Sequence, residues 1–312
     1  MKRSITAATC AALLSVASGT WAAEPAACQN VRMGSVNWTD VVASSAVAEA
    51  LLDSLGYKVK QTSASQQIIL AGMAEKRLDI FLGYWQPTMQ SVAKPYLDKQ
   101  QIDVISPATL SDAQSTYAVP AYAYDAGLKT FADIARFRDK LNNRIYLIEP
   151  GSGMNRITQQ MIDQDKFGLK GFQGVESSEA GMLTAVKRAV NQQKWVVFAG
   201  WKPHPMNLQI DMKYLSGSDD AFGPNEGSAT VSIMTAAGYQ QQCGNVAKLL
   251  HNLCFTSEGV SQVMEPILDR TAPLEAARAW LKAHPEQVST WLAGVTTFDG
   301  KPADATLVAS QQ

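Results

Sequence analysis

The chain has 312 residues, 46% of them hydrophobic and 18% charged, with 27 Lys and Arg against 28 Asp and Glu. That length and apolar content suffice for two lobes with separate cores, and a net charge of -1 gives neither nucleic acid nor an anionic membrane surface a basic patch to meet. Beyond the first residues, no stretch approaches a membrane span in length and hydrophobicity.

Residues 1–23 have the layout of a cleavable secretory signal peptide. Lys2 and Arg3 give a basic start, Ile5 to Val16 is apolar or small, and Ala22-Ala23 precede Glu24-Pro25. Export to the periplasm is therefore expected, with Cys10 leaving in the leader. Cys28, Cys243 and Cys254 remain in an oxidising compartment, where one disulfide and one buried thiol is the economical arrangement. Cys28 and Cys243 lie in polar, loop-like surroundings, whereas Cys254 sits in the apolar string Leu249-Leu250-His251-Asn252-Leu253-Cys254-Phe255. A Cys28–Cys243 bond with Cys254 buried is the expectation. The cysteines lack metal-ligand spacing and His204, His251 and His284 are scattered, so neither a metal nor another cofactor is expected.

Along the chain, short apolar strands alternate with amphipathic helices, the pattern of a mostly parallel sheet with helices on its faces. Val31 to Val36 predicts a strand. Val47, Leu51 and Leu55 then fall four apart on a helix stripe that stops at Gly56. A strand at 58–62, a helix at 66–76 and a strand at 78–83 complete a β-α-β-α-β unit. A second unit begins near Tyr117, with a strand at 144–148, a helix at 155–164, a helix at 179–192 and a strand at 195–199. The last third ends in two short helices carrying Trp280 and Trp291. No internal repeat is evident. Crossovers near 112–120 and 206–218 predict a discontinuous first lobe, residues 24–114 with 215–312, and a second lobe of residues 115–214. A Cys28–Cys243 bond would tie together the two separated parts of the first lobe.

The chemistry lies in aromatics just past predicted strand ends, where ligand sites of open α/β sheets are found. Trp38 follows the first strand, Trp85 the third in Gly83-Tyr84-Trp85-Gln86-Pro87, and Trp201 another in Gly200-Trp201-Lys202-Pro203-His204-Pro205. Small residues and prolines around these rings predict loop positions rather than core faces. Tyr117 stands at the entry to the second lobe. A quaternary ammonium has no N–H to donate, and ring faces hold it by cation–π attraction of about 0.5–2 kcal/mol each. Several rings with a carboxylate or polar contact can supply the roughly 8 kcal/mol of micromolar capture. The bland alternatives are that Asp40 and Asn155 cap their helices, that His204 is structural, and that Trp195, Trp280 and Trp291 pack.

Trp38-Thr39-Asp40, the run from Phe81 to Met89, Ile148-Glu149-Pro150-Gly151 with Asn155-Arg156, Val175 to Glu179, and Gly200 to Met206 resemble the periplasmic choline-binding proteins of bacterial ABC importers. Tyr214-Leu215-Ser216-Gly217 and Phe222-Gly223-Pro224-Asn225 extend the likeness over nearly the whole mature chain. The resemblance implies a type II, two-lobed periplasmic binding protein of α/β fold that closes around its ligand. It implies that Trp38, Trp85, Trp201 and Tyr117 box a trimethylammonium group, and that Asp40 and Asn155 contact the cation and the choline hydroxyl. It also implies the Cys28–Cys243 disulfide, and a monomer that serves ABC permease subunits in the inner membrane. Lys202 stands where the resembled proteins carry an acidic residue. A carboxylate-bearing zwitterion, carnitine or glycine betaine, would need donors, and Lys202, Arg156 or the helix start near Asn155 are the candidates. The bland alternative for Lys202 is a solvated surface lysine. Two other classes stand beside this one. An exported enzyme on the same ligands lacks a nucleophile, base or metal motif, and a ligand-sensing partner of a membrane receptor would share the cage but not the transporter.

Overall fold

A computed structural model of the chain describes residues 24–310. The signal peptide expected over residues 1–23, with Cys10, lies outside the described residues. Strand β1 (Asn30–Ser35) buries Val31 and Met33 between exposed Asn30 and Arg32, the period-2 alternation of a strand with one face on a core. The helix Thr39–Ser54 buries Val47, Leu51 and Leu52 and stops at Gly56, whose φ of 88° suits a residue without Cβ. Strand β2 (Lys58–Ser63) is an edge, mostly exposed and carrying Lys58 and Lys60, residues that discourage pairing with another chain. Strand β3 (Ile80–Gln86) pairs in parallel with β1, as β2 does on the other side.

Strand β3 begins later and ends later than the expected 78–83. Its last residues are held by an antiparallel partner, the long β10 (Ser228–Ala236), with Val231 opposite Trp85 and Thr230 opposite Gln86. Between them in sequence come β4 (Ile102–Val104), β5 (Leu110–Pro120), β6 (Arg144–Leu147), β7 (Gln173–Glu176), β8 (Val197–Lys202) and β9 (Met212–Tyr214). The sheet order is β2-β1-β3-β10-β5-β8-β6-β7, with β4 also on β10 and β9 also on β5. Read from either edge, it gives three parallel strands followed by one long antiparallel strand, and the two long strands meet in the middle. This is a two-lobed α/β fold in which each lobe is a mixed, mostly parallel sheet flanked by helices. Strand β5 runs from one half into the other, pairing with β10 from Leu110 to Gln114 and with β8 from Gln114 to Ala118.

Cys28 and Cys243 are joined in a disulfide with a Cα–Cα distance of 5.6 Å. The bond links the start of β1's half to the segment after β10, and in the chain-entropy model a loop this long contributes about 5 kcal/mol. Cys254 departs from expectation: it is exposed. The chain leaves the helix Gly244–Asn252 extended, so Leu253 and Phe255 turn inward and the residue between them turns out. Trp291 is fully buried against Phe255, Trp280 stacks on Trp291 and His284, and Trp195 packs on Phe137 beneath Lys140. All three serve packing.

Candidate functional site

Four strand ends converge on one cavity between the halves. Trp38 and Asp40 come from the turn after β1, Trp85 from the end of β3, Ile148 and the helix start Ser152-Gly153-Met154 from beyond β6, and Trp201 from the end of β8. Ser115 of β5 and Thr88-Met89 complete the wall around an empty volume of about 380 Å3, part of it open to solvent. The three indoles are 5–6% exposed and line this one cavity rather than separate interiors.

Trp85 and Trp201 lie on strands, not on the loops expected for them. Pairing with β10 and β5 continues through both rings, and proline, which has no N–H for the ladder, follows each by two residues at Pro87 and Pro203. Strand placement makes these rings rigid. Trp38 immediately precedes the helix Thr39–Ser54.

Asp40 is buried in that helix's first turn, and its Oδ2 accepts from Trp85 Nε1 at 3.0 Å. Its Oδ1 is buried without a partner. Burial, reinforced by the nearby Glu179 carboxylate, pushes the Asp40 carboxyl up to about 7 against the opposing bond from Trp85. A cation in the cavity would oppose both causes by favouring the ionised carboxylate.

Asn155 is held by its amide nitrogen, which donates to Ile148 O at 2.8 Å, Glu149 O at 3.0 Å and Glu176 Oε1 at 3.0 Å. Its Oδ1 is buried without a partner. The cap of this helix is Ser152, whose hydroxyl accepts from Asn155 N. Asn155 is therefore not the cap, and it stands one residue behind the wall residue Met154.

Tyr117 is not among the residues lining the cavity. Its ring is fully buried, stacked on Phe131 at 4.7 Å and tilted against Phe222, with its hydroxyl on Thr158. Alternation along β5 puts Tyr117 on the same face as the wall residue Ser115 but one step, about 7 Å, deeper into the second half. It backs the site. Lys202 and Arg156 are exposed, and Lys202 lies over the Tyr214 ring at 5.4 Å, outside the cavity. Neither supplies a donor to the wall.

Two carboxylates received no role from sequence. Glu149 Oε1 accepts from Trp38 Nε1 at 2.7 Å, and burial raises its carboxyl above the usual carboxylate range. Glu179 accepts from Thr39 N at 3.0 Å and from the Thr39 hydroxyl. Both sit just past a strand or at a helix start, the same positional signal that singled out Trp38.

These features define a substrate-binding protein with an aromatic, acidic site between two α/β lobes. Residues 29–283 match the substrate-binding domain of ABC-type glycine betaine transport systems, and the chain belongs to that family. A choline-binding protein of an ABC transporter, solved with choline, is 42% identical over 92% of this chain and 99% of its own, with a TM-score of 0.89. The unliganded semi-closed form of an ABC-transporter choline-binding protein, again 42% identical and covering 91% and 99%, gives 0.82. The lactococcal protein closed on glycine betaine is 26% identical over 84% and 98%, with a TM-score of 0.76. A glycine betaine/carnitine transport binding protein of Listeria monocytogenes is 30% identical over 171 residues, 55% of this chain and 56% of that one. The solved relatives are type II periplasmic binding proteins, and the family binds small ligands and works with ABC-transporter components. They are transport proteins and not enzymes, which removes the exported-enzyme alternative. The family is extracytoplasmic, and among the described residues no helix is long and apolar enough to cross a membrane.

Proposed function

We propose that the chain captures choline in the cavity walled by Trp38, Trp85 and Trp201 and presents it to the permease subunits of an ABC importer in the inner membrane. On this reading it acts as a monomer in the periplasm after loss of residues 1–23. Residues 24–114 with 215–312 form one lobe and 115–214 the other, with β5 and the segment between β9 and β10 as the connections. Tyr117 supports the cage from behind.

The observation that carries this reading is the wall itself: three indoles and Asp40, whose Oδ1 is unpartnered, with no Lys or Arg among the described lining residues. Indole faces and a carboxylate suit a fixed positive charge that has no proton to give. Asn155 Oδ1, buried and free, is suited to accept from the ligand hydroxyl. The choline-bound relative at 42% identity supports the same ligand.

One observation favours a second reading, glycine betaine or carnitine. Gly153 and Met154 open an eleven-residue helix on the cavity wall, and backbone N–H groups at such a start can receive a carboxylate. Competitive calorimetric titration of the mature protein with choline, carnitine and glycine betaine decides between them. Choline is expected to bind tightest; tighter binding of a zwitterion selects the second reading, and no binding of any of the three overturns both.

A further inference from the structure

The helix Thr39–Ser54 starts in an unusual way. Its N-cap is Trp38, a side chain with no acceptor, so the cap residue itself satisfies none of the first-turn N–H groups. The acceptor comes from the other half of the molecule. Glu179, the first residue of the helix Glu179–Asn191, takes both the backbone N–H and the hydroxyl of Thr39. One residue earlier, Glu149 of the same half takes the Trp38 indole N–H. Two carboxylates thus grip consecutive residues that stand directly before Asp40.

Glu179 is itself held. His204 Nδ1 accepts from Met206 N at 2.9 Å, which leaves the ring proton on Nε2, and Nε2 meets Glu179 Oε1 at 3.1 Å. Glu179 and His204 are 4% and 3% exposed, so this chain of bonds is shielded from water. Glu179 does not line the cavity, whereas Trp38 and Asp40 do. The negative end of the clasp faces the positive end of the helix it caps.

We propose that Glu179, positioned by His204, is a closure clasp: it caps the helix Thr39–Ser54 across the cleft only when the lobes are shut, and so couples closure to the placement of Trp38 and Asp40. Glu179 is a positioning residue that acts through Thr39 and does not touch the ligand. Separation of the lobes breaks both bonds to Thr39 and leaves the helix start to water. The better superposition on the choline-loaded relative, 0.89 against 0.82 for the unliganded semi-closed form, accords with a closed arrangement here.

The inference rests on the two-lobed, ligand-closing reading, and that reading is tested first on the wild-type protein by titration with choline, carnitine and glycine betaine and by X-ray scattering before and after saturation. The variants Glu179→Ala, Glu179→Gln and Thr39→Val are then measured with whichever of the three binds the wild type tightest. Glu179→Ala is expected to weaken binding about tenfold, mainly through a faster off-rate, with Gln and Val smaller in the same direction. The melting temperature of the unliganded protein should hardly move, because the open form does not use the clasp. Wild-type affinity and off-rate in Glu179→Ala would overturn the proposal, as would an equal loss of stability with and without ligand. If Glu179→Ala fails to fold, Thr39→Val decides: an unchanged off-rate overturns the clasp, and a raised one with an unmoved unliganded melting temperature supports it.

Discussion

The ends of β3 and β8 are built alike and finished differently. Each halts at a Trp-x-Pro run, Trp85-Gln86-Pro87 and Trp201-Lys202-Pro203, each tryptophan is 5% exposed, and each faces the central pair of long strands, opposite Val231 of β10 or Ser115 of β5. The indole N–H separates them. That of Trp85 is bound to the Asp40 carboxylate, whereas that of Trp201 is buried with no partner. One half therefore brings a ring with a negative charge behind it, and the other brings a bare ring beside a helix start. On the proposed reading this is a division of labour, the first half recognising the cation and the second closing over it.

The largest expected effect breaks this asymmetry outright. Trp85→Ala removes a ring face and strands a buried carboxylate, and should weaken choline about a hundredfold in calorimetry. Trp201→Ala removes the face alone and should cost about tenfold; equal losses would show that the Asp40 bond carries no weight. Asp40→Asn should weaken choline by about tenfold and zwitterionic glycine betaine by clearly less.

The pH dependence sharpens the same point. The Asp40 carboxyl is pushed up to about 7 in the empty site, and a bound cation favours its ionised form. Below pH 7, binding must expel a proton, so choline affinity is flat above that pH and falls as pH drops. A titration series should show about tenfold weaker binding at pH 6 than at pH 8, and Asp40→Asn should flatten it. The smallest effect expected is that of Trp201→Phe, about threefold, since phenylalanine keeps a ring face and no hydrogen bond is lost. Trp85→Phe should cost more, because it unpairs Asp40.

Much of this was legible in residues. Val47, Leu51 and Leu55 marked a helix stripe, Gly56 its end, and position just past strand ends, with the family resemblance, singled out Trp38, Trp85 and Trp201, which meet on one wall. The local apolar run placed the third strand at 78–83, but β10 decides its end, and that pairing joins residues far apart in the chain. Tyr117 was named for the box by the family resemblance, and its packing on Phe131 and Phe222 depends on tertiary contacts that the local sequence does not carry. Cys254 looked buried from its apolar neighbours, yet one extended step turns it outward. Glu149 and Glu179 were invisible as partners of Trp38 and Thr39, since each bond crosses more than a hundred residues and both halves must close to make it.

The central claim is that indole faces and one carboxylate converge on a fixed positive charge. Its most direct test is calorimetric comparison of choline with 3,3-dimethylbutan-1-ol, which replaces the charged nitrogen by carbon at nearly the same shape. The account predicts that choline binds at least about a hundredfold tighter. Equal affinities would mean that the cavity reads only size and hydrophobicity, and would contradict it.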